Sequence, residues 1–353
     1  MKFVIEEAWC SCEKKITGIA LFYRLMKKVA TEAEIEPIVF DKSFLAKIDN
    51  TVLQRLLYFI WLNTVFLFKL LMLNDDVAVI GVKYFIPFIR LPRVKYYPVV
   101  HDLIAVKYPH KIPKSSVIVL RPMMRNAVIN GDKIITVSET AKKEIAEYYK
   151  IPLSRIDVMY STFSFDTKIN LNEQEILNKY ELENSKFILS VSSLQGHKNI
   201  DSLIKGFNNF NKKYDDIKLV IVGSGDNLED YKKLACKNVV FTGRIDDEIL
   251  KVLYHNAYIY SFPSYLEGFG VPIIDAQQFG VPILCSNLDV FKEVAGENGA
   301  IFVNPTPENL EKGLEELLNQ ELRERLIQFG YENIKRFNMD AKVRKLKEIL
   351  YGE

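Results

Sequence analysis

The sequence predicts an α/β protein built as two doubly wound, Rossmann-like domains facing each other across a cleft. Three observations carry this. Short apolar runs rich in Val and Ile alternate with helical stretches along most of the chain, the rhythm of parallel sheets covered on both faces. A polar stretch at Ser164–Glu175 interrupts that rhythm once, and the pattern then restarts. The 353 residues also suffice for two cores of ordinary size.

Taken in order, β-rich runs occur at Lys2–Glu7, Ile35–Phe40, Val77–Val82, Tyr96–Val100, Lys133–Val137 and Ile156–Tyr160. Helical stretches lie between them at Ile16–Ala30, Asn50–Leu73, Val117–Ile129 and Glu139–Tyr149. After the polar stretch come strands at Phe187–Val191, Leu219–Val222, Val239–Thr242, Tyr258–Phe262, Pro282–Cys285 and Ala300–Val303. Helices at Asn199–Phe210, Ile245–His255 and Pro272–Phe279 fill gaps there, and Thr306–Tyr351 is helical and charged without a strand signal. The expected division is residues 1–165, residues 166–335, and a terminal helix at 336–353 that can cross back to the first domain. Ligands of such folds bind beyond the carboxyl ends of the strands, in the crevice between domains.

Composition narrows the function classes. Hydrophobic residues at 48% and charged residues at 26% are globular usage, which excludes a disordered or collagen-like chain. A net charge of +2 carries no nucleic-acid signature, so no nucleic-acid partner is expected. Four scattered cysteines, Cys10, Cys12, Cys236 and Cys285, read as reduced thiols of a cytoplasmic protein, neither a disulfide framework nor zinc ligands. The opening Met1-Lys-Phe-Val-Ile-Glu-Glu turns acidic too soon for a secretory leader and suits a first strand.

The two halves differ in charge. Residues 1–165 carry a net +8 and the remainder −6; between Arg90 and Arg125 eight basic residues face only Asp102. Leu53–Leu73 is oily, but its charge-free run, Leu56–Phe68, is only 13 residues. A bilayer span needs ~20, so this reads as a core helix or as one lying on a membrane surface. An anionic membrane face is thus a candidate partner of the basic N-terminal half, on the inner side of the plasma membrane.

The second half carries the chemistry. In Ser261-Phe-Pro-Ser-Tyr-Leu-Glu-Gly-Phe-Gly-Val-Pro-Ile-Ile-Asp, a strand ends, a loop with Glu267, Gly268 and Gly270 follows, and Pro272 sits in the first turn of a helix. Glycines admit close approach of a ligand to backbone, and the amides of a helix start form an anion site. Asp275, eight residues after Glu267, can face the same cleft and accept hydrogen bonds from sugar or ribose hydroxyls. On spacing alone, an ordinary acidic helix start reads equally well.

This stretch resembles the Glu-Gly-Phe-Gly-x-Pro-x-x-Glu signature of the retaining family-4, or group 1, glycosyltransferases of GT-B fold. Ser190-Val-Ser-Ser-Leu-Gln-Gly-His-Lys-Asn resembles their phosphate loop, and Leu219-Val-Ile-Val-Gly-Ser-Gly and Val239-Val-Phe-Thr-Gly-Arg resemble their next two strand ends. Val100-His-Asp-Leu and Ile135-Thr-Val-Ser-Glu are similar to motifs of the acceptor domain. The resemblance implies a retaining, metal-independent, hexosyltransferase-type enzyme. It would take a UDP- or GDP-linked sugar as co-substrate and a glycan or lipid-linked glycan as acceptor, in bacterial surface polysaccharide synthesis. No metal is expected, and the chain has no Asp-x-Asp. By the same resemblance Lys198 pairs with the diphosphate, Glu267 holds a sugar hydroxyl and steadies the anomeric carbon, and His101 touches the donor sugar from the first domain. Asp275 takes the ribose, the Gly268, Phe269 and Gly270 backbone shares the phosphate load, and Gly223, Gly243 and Arg244 border the nucleotide.

The chain departs from that pattern at several positions. The second acidic residue is usually Glu, not Asp275; relatives carry arginine where this chain has His197 or, in others, Ser193; and the N-terminal glycine pair is reduced to Thr17-Gly18-Ile19. Two other classes therefore stand beside the transferase: a non-catalytic nucleotide-binding partner of another glycosyltransferase, and a sugar-nucleotide epimerase on the same scaffold. His110 and His255 read as ordinary surface histidines.

Overall fold

The computed structural model of the chain describes residues 1–6, 18–48, 50–107 and 114–352. Cys10, Cys12, Thr17 and His110 lie outside the described residues. The chain forms two units, Met1–Thr162 with Phe337–Glu353, and Phe163–Arg336.

In the first unit, strands β1 (Lys2–Glu6), β2 (Pro37–Ile38), β3 (Val77–Gly81) and β4 (Val94–Pro98) make a sheet ordered β2-β1-β3-β4, every pairing parallel. A second parallel pair, β5 (Ile134–Thr136) with β6 (Ile156–Val158), joins its edge through a bridge between Val99 and Ile135. β2 is shorter than the expected Ile35–Phe40 because it opens on Pro37 at the sheet edge, where a missing N–H limits pairing. Helices α1 (Gly18–Glu32), α2 (Thr51–Asn63), α3 (Val65–Leu71), α4 (Ile104–Lys107), α5 (Lys114–Asn130) and α6 (Glu139–Tyr149) fall between the strands. The ends of α6 follow from sequence: the Ser138 side chain accepts from the Ala141 N–H, and Lys150 leaves the helix left-handed at φ 54°.

The oily segment is two helices, not one. At Thr64 the backbone leaves the helical region (φ −128°, ψ −80°), and the Thr64 hydroxyl donates back to the Ile60 carbonyl at 2.7 Å. Tyr58, Trp61, Leu62, Phe66 and Leu70 point into the core with Val4, Val79 and Tyr96. The opposite face is bare: Leu53, Leu56, Phe59 and Ile60 of α2 and Val65, Phe68 and Leu71 of α3 are all exposed. The Phe88 ring packs edge-on against Phe59, and with Ile89 it extends the same apolar surface.

A buried ion pair sits at the end of β1. Lys42 bonds Glu6, with both side chains at most 3% exposed; the Tyr58 hydroxyl also donates to Glu6, at 2.9 Å. The Trp61 ring lies 5.2 Å from the ammonium, so the charge is paired and covered by aromatic faces.

The second unit holds one six-stranded parallel sheet: β7 (Lys186–Val191), β8 (Ile217–Val222), β9 (Val239–Gly243), β10 (Ile259–Phe262), β11 (Ile283–Ser286) and β12 (Ile301–Val303). Its order, β12-β11-β10-β7-β8-β9, is the doubly wound Rossmann arrangement, in which strand order reverses between the first and fourth strands of the unit, β7 and β10. Helices α7 (Glu173–Lys179), α8 (Ile200–Asn211), α9 (Leu228–Leu234), α10 (Asp247–Asn256), α11 (Val271–Gln278), α12 (Asp289–Ala295), α13 (Pro307–Glu316) and α14 (Gln320–Asn333) complete it. Leu203, Phe207, Leu310 and Leu314 of α8 and α13 cover one sheet face over Ile188, Leu219, Ile259 and Leu284, one residue from each of four neighbouring strands, with Ile188 in register with both Leu219 and Ile259. The chain closes the first unit with α15 (Met339–Tyr351), where Lys345 bonds Asp157 at 2.7 Å.

Candidate active site

The reversal point of the second sheet is where two loops leave adjacent strands in opposite directions, opening a crevice. From β7 the chain runs through Ser192–Gln195 into a tight turn, Gly196–Lys198, and enters α8 after Asn199, held left-handed at φ 55°. From β10 it runs through Pro263–Gly270 into α11, with Pro272 in the first turn as the sequence implied. Two contacts stitch the loops together. The Tyr265 N–H donates to the His197 carbonyl at 2.9 Å, and the buried Asn199 amide donates to the carbonyls of Pro263 (3.2 Å) and Pro305 (2.8 Å).

Across this junction Lys198 Nζ meets Glu267 Oε1 at 2.5 Å, each side chain 14% exposed. The ammonium also lies 5.6 Å from the centre of the Phe262 ring. The two residues therefore converge although 69 positions apart, and they form a half-buried, neutralised pair that an entering anion can open. Gly270 caps α11 at φ 103°, a conformation that a side chain would strain. The helix start and its first-turn amides thus lie beside Glu267, where a phosphate would meet positive partial charge.

Neighbouring strand ends extend the rim. A Cβ on Gly223, at φ 142°, would stand 1.8 Å from the Ser192 carbonyl oxygen, so only glycine lets the β8 end pass the β7 loop. The Gly223 N–H donates to the Gly243 carbonyl at 2.9 Å, which keeps the β9 end in line. Ser193 and Arg244 are exposed along this rim, whereas Phe269 is buried beneath the loop. His197 is buried at 8% exposure, so it fills a packed position where an arginine would need room.

Asp275 occupies a different setting from the one its spacing suggests. It is 2% exposed, and both carboxylate oxygens are taken: Ser164 N–H donates to Oδ1 at 2.8 Å and Ser164 Oγ to Oδ2 at 2.6 Å. Burial drives its pKa up to about 7 despite the two Ser164 bonds, which pull the other way. Nothing in the sequence marks Ser164 as a partner of Asp275, since it sits in a polar stretch 111 residues away.

His101 and Gly18 belong to the first unit. His101 Nε2 lies 2.8 Å from the Val82 carbonyl; a carbonyl only accepts, so Nε2 carries the proton and Nδ1 is left as an acceptor. Burial lowers its pKa to about 4, and the Phe22 ring stands edge-on at 5.2 Å, so the imidazole is neutral near pH 7. Gly18 opens α1, exposed, with nothing near its Cα on the side-chain side. Among the described residues, no group of three or more His, Cys, Asp or Glu side chains converges as metal ligands do, and Cys236 and Cys285 are free thiols.

Residues 172–333, nearly all of the second unit, match the family model of group 1 glycosyl transferases. The whole chain superposes on the crystal structure of WaaG, a glycosyltransferase involved in lipopolysaccharide biosynthesis, at TM-score 0.72 with 18% identity and full coverage of both chains. The second unit is thus similar to the group 1 glycosyl transferases over residues 172–333, and the chain shares the GT-B fold. A second structure of like fold, Anabaena HepE in complex with UDP and glucose, matches at TM-score 0.69 with 15% identity over all of both chains. In sequence, the chain is 33% identical over 217 residues to the O-antigen chain mannosyltransferase RfbU of Salmonella typhimurium, covering 59% of this chain and 56% of that protein. The capsular polysaccharide biosynthesis glycosyltransferase CapM of Staphylococcus aureus is 29% identical over 231 residues, 61% of this chain and 60% of CapM. The matched region therefore spans less than two thirds of these curated relatives.

Proposed function

We propose that the protein is a retaining glycosyltransferase that moves a sugar from a UDP- or GDP-sugar to a glycan or lipid-linked glycan acceptor during synthesis of a bacterial surface polysaccharide. The observation that carries this is the Lys198–Glu267 pair, set at the strand-order reversal of a Rossmann sheet between a glycine-bearing loop and a helix start. Similarity to O-antigen and capsule glycosyltransferases supports the reaction class.

The mechanism follows from charge. A donor diphosphate entering beside Gly268–Gly270 draws Lys198 away from Glu267, and the ammonium then neutralises the charge growing on the leaving phosphate. Glu267, released, accepts a donor-sugar hydroxyl and stabilises positive charge at the anomeric carbon. The acceptor hydroxyl attacks from the face the phosphate leaves, and that phosphate takes its proton, so the protein supplies position and field rather than a base. Ser193, Gly223, Gly243 and Arg244 line the nucleotide side. No resident metal is needed in this scheme.

The bare apolar face of α2 and α3 supports a lipid-linked acceptor and a peripheral position on the cytoplasmic face of a membrane. Leu53–Leu71 has mean hydropathy 1.2 and is only 33% buried, and its charges, Arg55 and Lys69, are both basic.

Purified protein incubated with a panel of UDP- and GDP-sugars, with free nucleotide release as the readout, tests the assignment. Release that Lys198→Ala cuts by about 10²-fold or more, the loss of one transition-state charge partner, is expected. Nucleotide binding without turnover, even with a crude lipid acceptor extract, would make the protein the inert partner of another transferase.

A further inference from the structure

The sheet face beneath α8 and α13 turns from apolar to polar at its carboxyl end. Ile188, Ile259 and Leu284 lie in the core under those helices. Two residues further along each strand, on the same side by alternation, stand Ser190, Ser261 and Ser286. All three are fully buried, and their hydroxyls have no hydrogen-bond partner among the described residues. Register makes the first two neighbours: Leu189 pairs with Tyr260, so the next step sets Ser190 beside Ser261. Just past the strand ends two more polar groups are buried without a partner among the described residues, the Ser264 hydroxyl and Asn199 Oδ1. Asn199 opens α8 without capping it through its side chain. Its amide reaches instead to the carbonyls of Pro263, next to Ser264, and Pro305, just ahead of α13.

Neutral polar groups thus line the seam between the ends of β7, β10 and β11 and the starts of α8 and α13. In a dry seam each unmet bond would cost its full desolvation. Neighbouring strands lie about 4.8 Å apart. That is too far for a direct hydroxyl–hydroxyl bond of about 2.8 Å, but one water bonded on both sides spans it. Water also answers the chemistry: serine hydroxyls donate or accept, Asn199 Oδ1 only accepts, and a buried water makes about three bonds of both kinds. An ion would bring a charge that neutral groups leave unbalanced.

We propose that this seam is a built internal water site, in which ordered water joins Ser190, Ser261 and Asn199. The water seats the tight turn carrying Lys198, the chain neighbour of Asn199, on the end of the sheet. Its other bank, Pro263–Ser264, leads within three residues to Glu267. Resting on the reading of Lys198 and Glu267 as donor machinery, Ser190 and Ser261 are then positioning residues for that pair, acting through water from beneath.

A high-resolution crystal structure of the parent and two variants, Ser190→Ala and Ser261→Ala, test this. Water density within about 3.2 Å of at least two of Ser190 Oγ, Ser261 Oγ and Asn199 Oδ1 is expected. Hydroxyls bonded to the main chain with no such density, or density that refines as a cation, overturns the proposal. In urea unfolding each variant should raise the unfolding constant about fivefold, the loss of one net hydrogen bond. A dry hydroxyl behaves oppositely: removing an unmet donor leaves that constant unchanged or lowers it, and this result also overturns the proposal. The seating of the turn is read separately, in folded protein, by titration with UDP and with GDP and by amide exchange at Lys198 and Asn199. Both variants should weaken nucleotide binding about threefold or more and speed that exchange to a similar extent. Unchanged affinity and exchange in both would overturn the positioning role. If the parent binds neither nucleotide, the donor-site reading fails, and the density and unfolding data still decide whether the water site exists.

Discussion

Replacing Asp275 with Asn isolates a single buried charge. In the folded protein the carboxyl titrates at about 7, against 3.8 for a free Asp side chain, and the main cause is burial. The folded state thus keeps a proton that the unfolded chain releases, so this group favours folding most below pH 4. That contribution falls as pH rises toward 7 and is gone above it. Each pH step of one across which the two states differ by a full proton is worth about 1.36 kcal/mol. From pH 5 to pH 8, with titration only partial near each end, the change comes to about 3 kcal/mol. The Asn variant has no such proton. Urea unfolding midpoints of both proteins, taken in steps from pH 5 to pH 8, should therefore diverge, with the parent losing about 3 kcal/mol relative to the variant as pH rises. At pH 8 the variant should match or exceed the parent, because it sheds a desolvated charge and keeps both Ser164 bonds. Parallel curves, or a parent that gains on the variant toward alkaline pH, would refute the reasoning.

Three further outcomes are expected. His197→Arg, which a deficient phosphate clamp would seem to invite, should destabilise the second unit by about 1–3 kcal/mol, because position 197 is already packed; thermal unfolding measures it. Lys42→Met should cost about 3–5 kcal/mol in denaturant unfolding by leaving the Glu6 carboxylate buried without its cation, and the double change with Glu6→Gln should recover most of the loss. The protein should co-sediment with vesicles containing anionic lipid, and Phe59→Asp with Phe68→Asp should abolish this while nucleotide release from donor alone continues. Equal sedimentation of parent and variant would remove α2 and α3 from that role.

Most strands were legible because they are parallel strands, several of them fully buried, whose Val- and Ile-rich runs stand out against charged helices on either side; β2, two half-buried residues at the sheet edge, was not. Ile217–Val222 and Lys186–Val191 differ from the expected limits by one or two residues only. Helices whose ends carry their own caps were equally plain, α6 above all. Three kinds of feature were not. Two-turn helices such as α9 and α12 are too short to show a 3.6-residue period. The break at Thr64 falls inside the charge-free run Leu56–Phe68, where Asn63 and Thr64 are the two polar side chains and an isolated polar pair does not by itself end a helix; a hydroxyl turned back on Ile60 accompanies it. At the site, the family resemblance placed Lys198 and Glu267 around one donor, but their ion pair with each other, the burial of His197 and the occupation of Asp275 depend on packing between segments far apart in the chain.

Thr64 has a bearing on how firmly the protein could hold a membrane. Unbroken, the 19 residues of Leu53–Leu71 would measure about 28 Å, near the thickness of a hydrocarbon core. Divided, the longer piece, Thr51–Asn63, reaches only about 20 Å. Its Trp61 and Tyr58 would also have to be pulled from the interior of the first unit before it could thread a bilayer. On a lipid surface, two such short rods would make a float rather than a bolt, and residence there would then respond to how much anionic headgroup the leaflet offers from moment to moment.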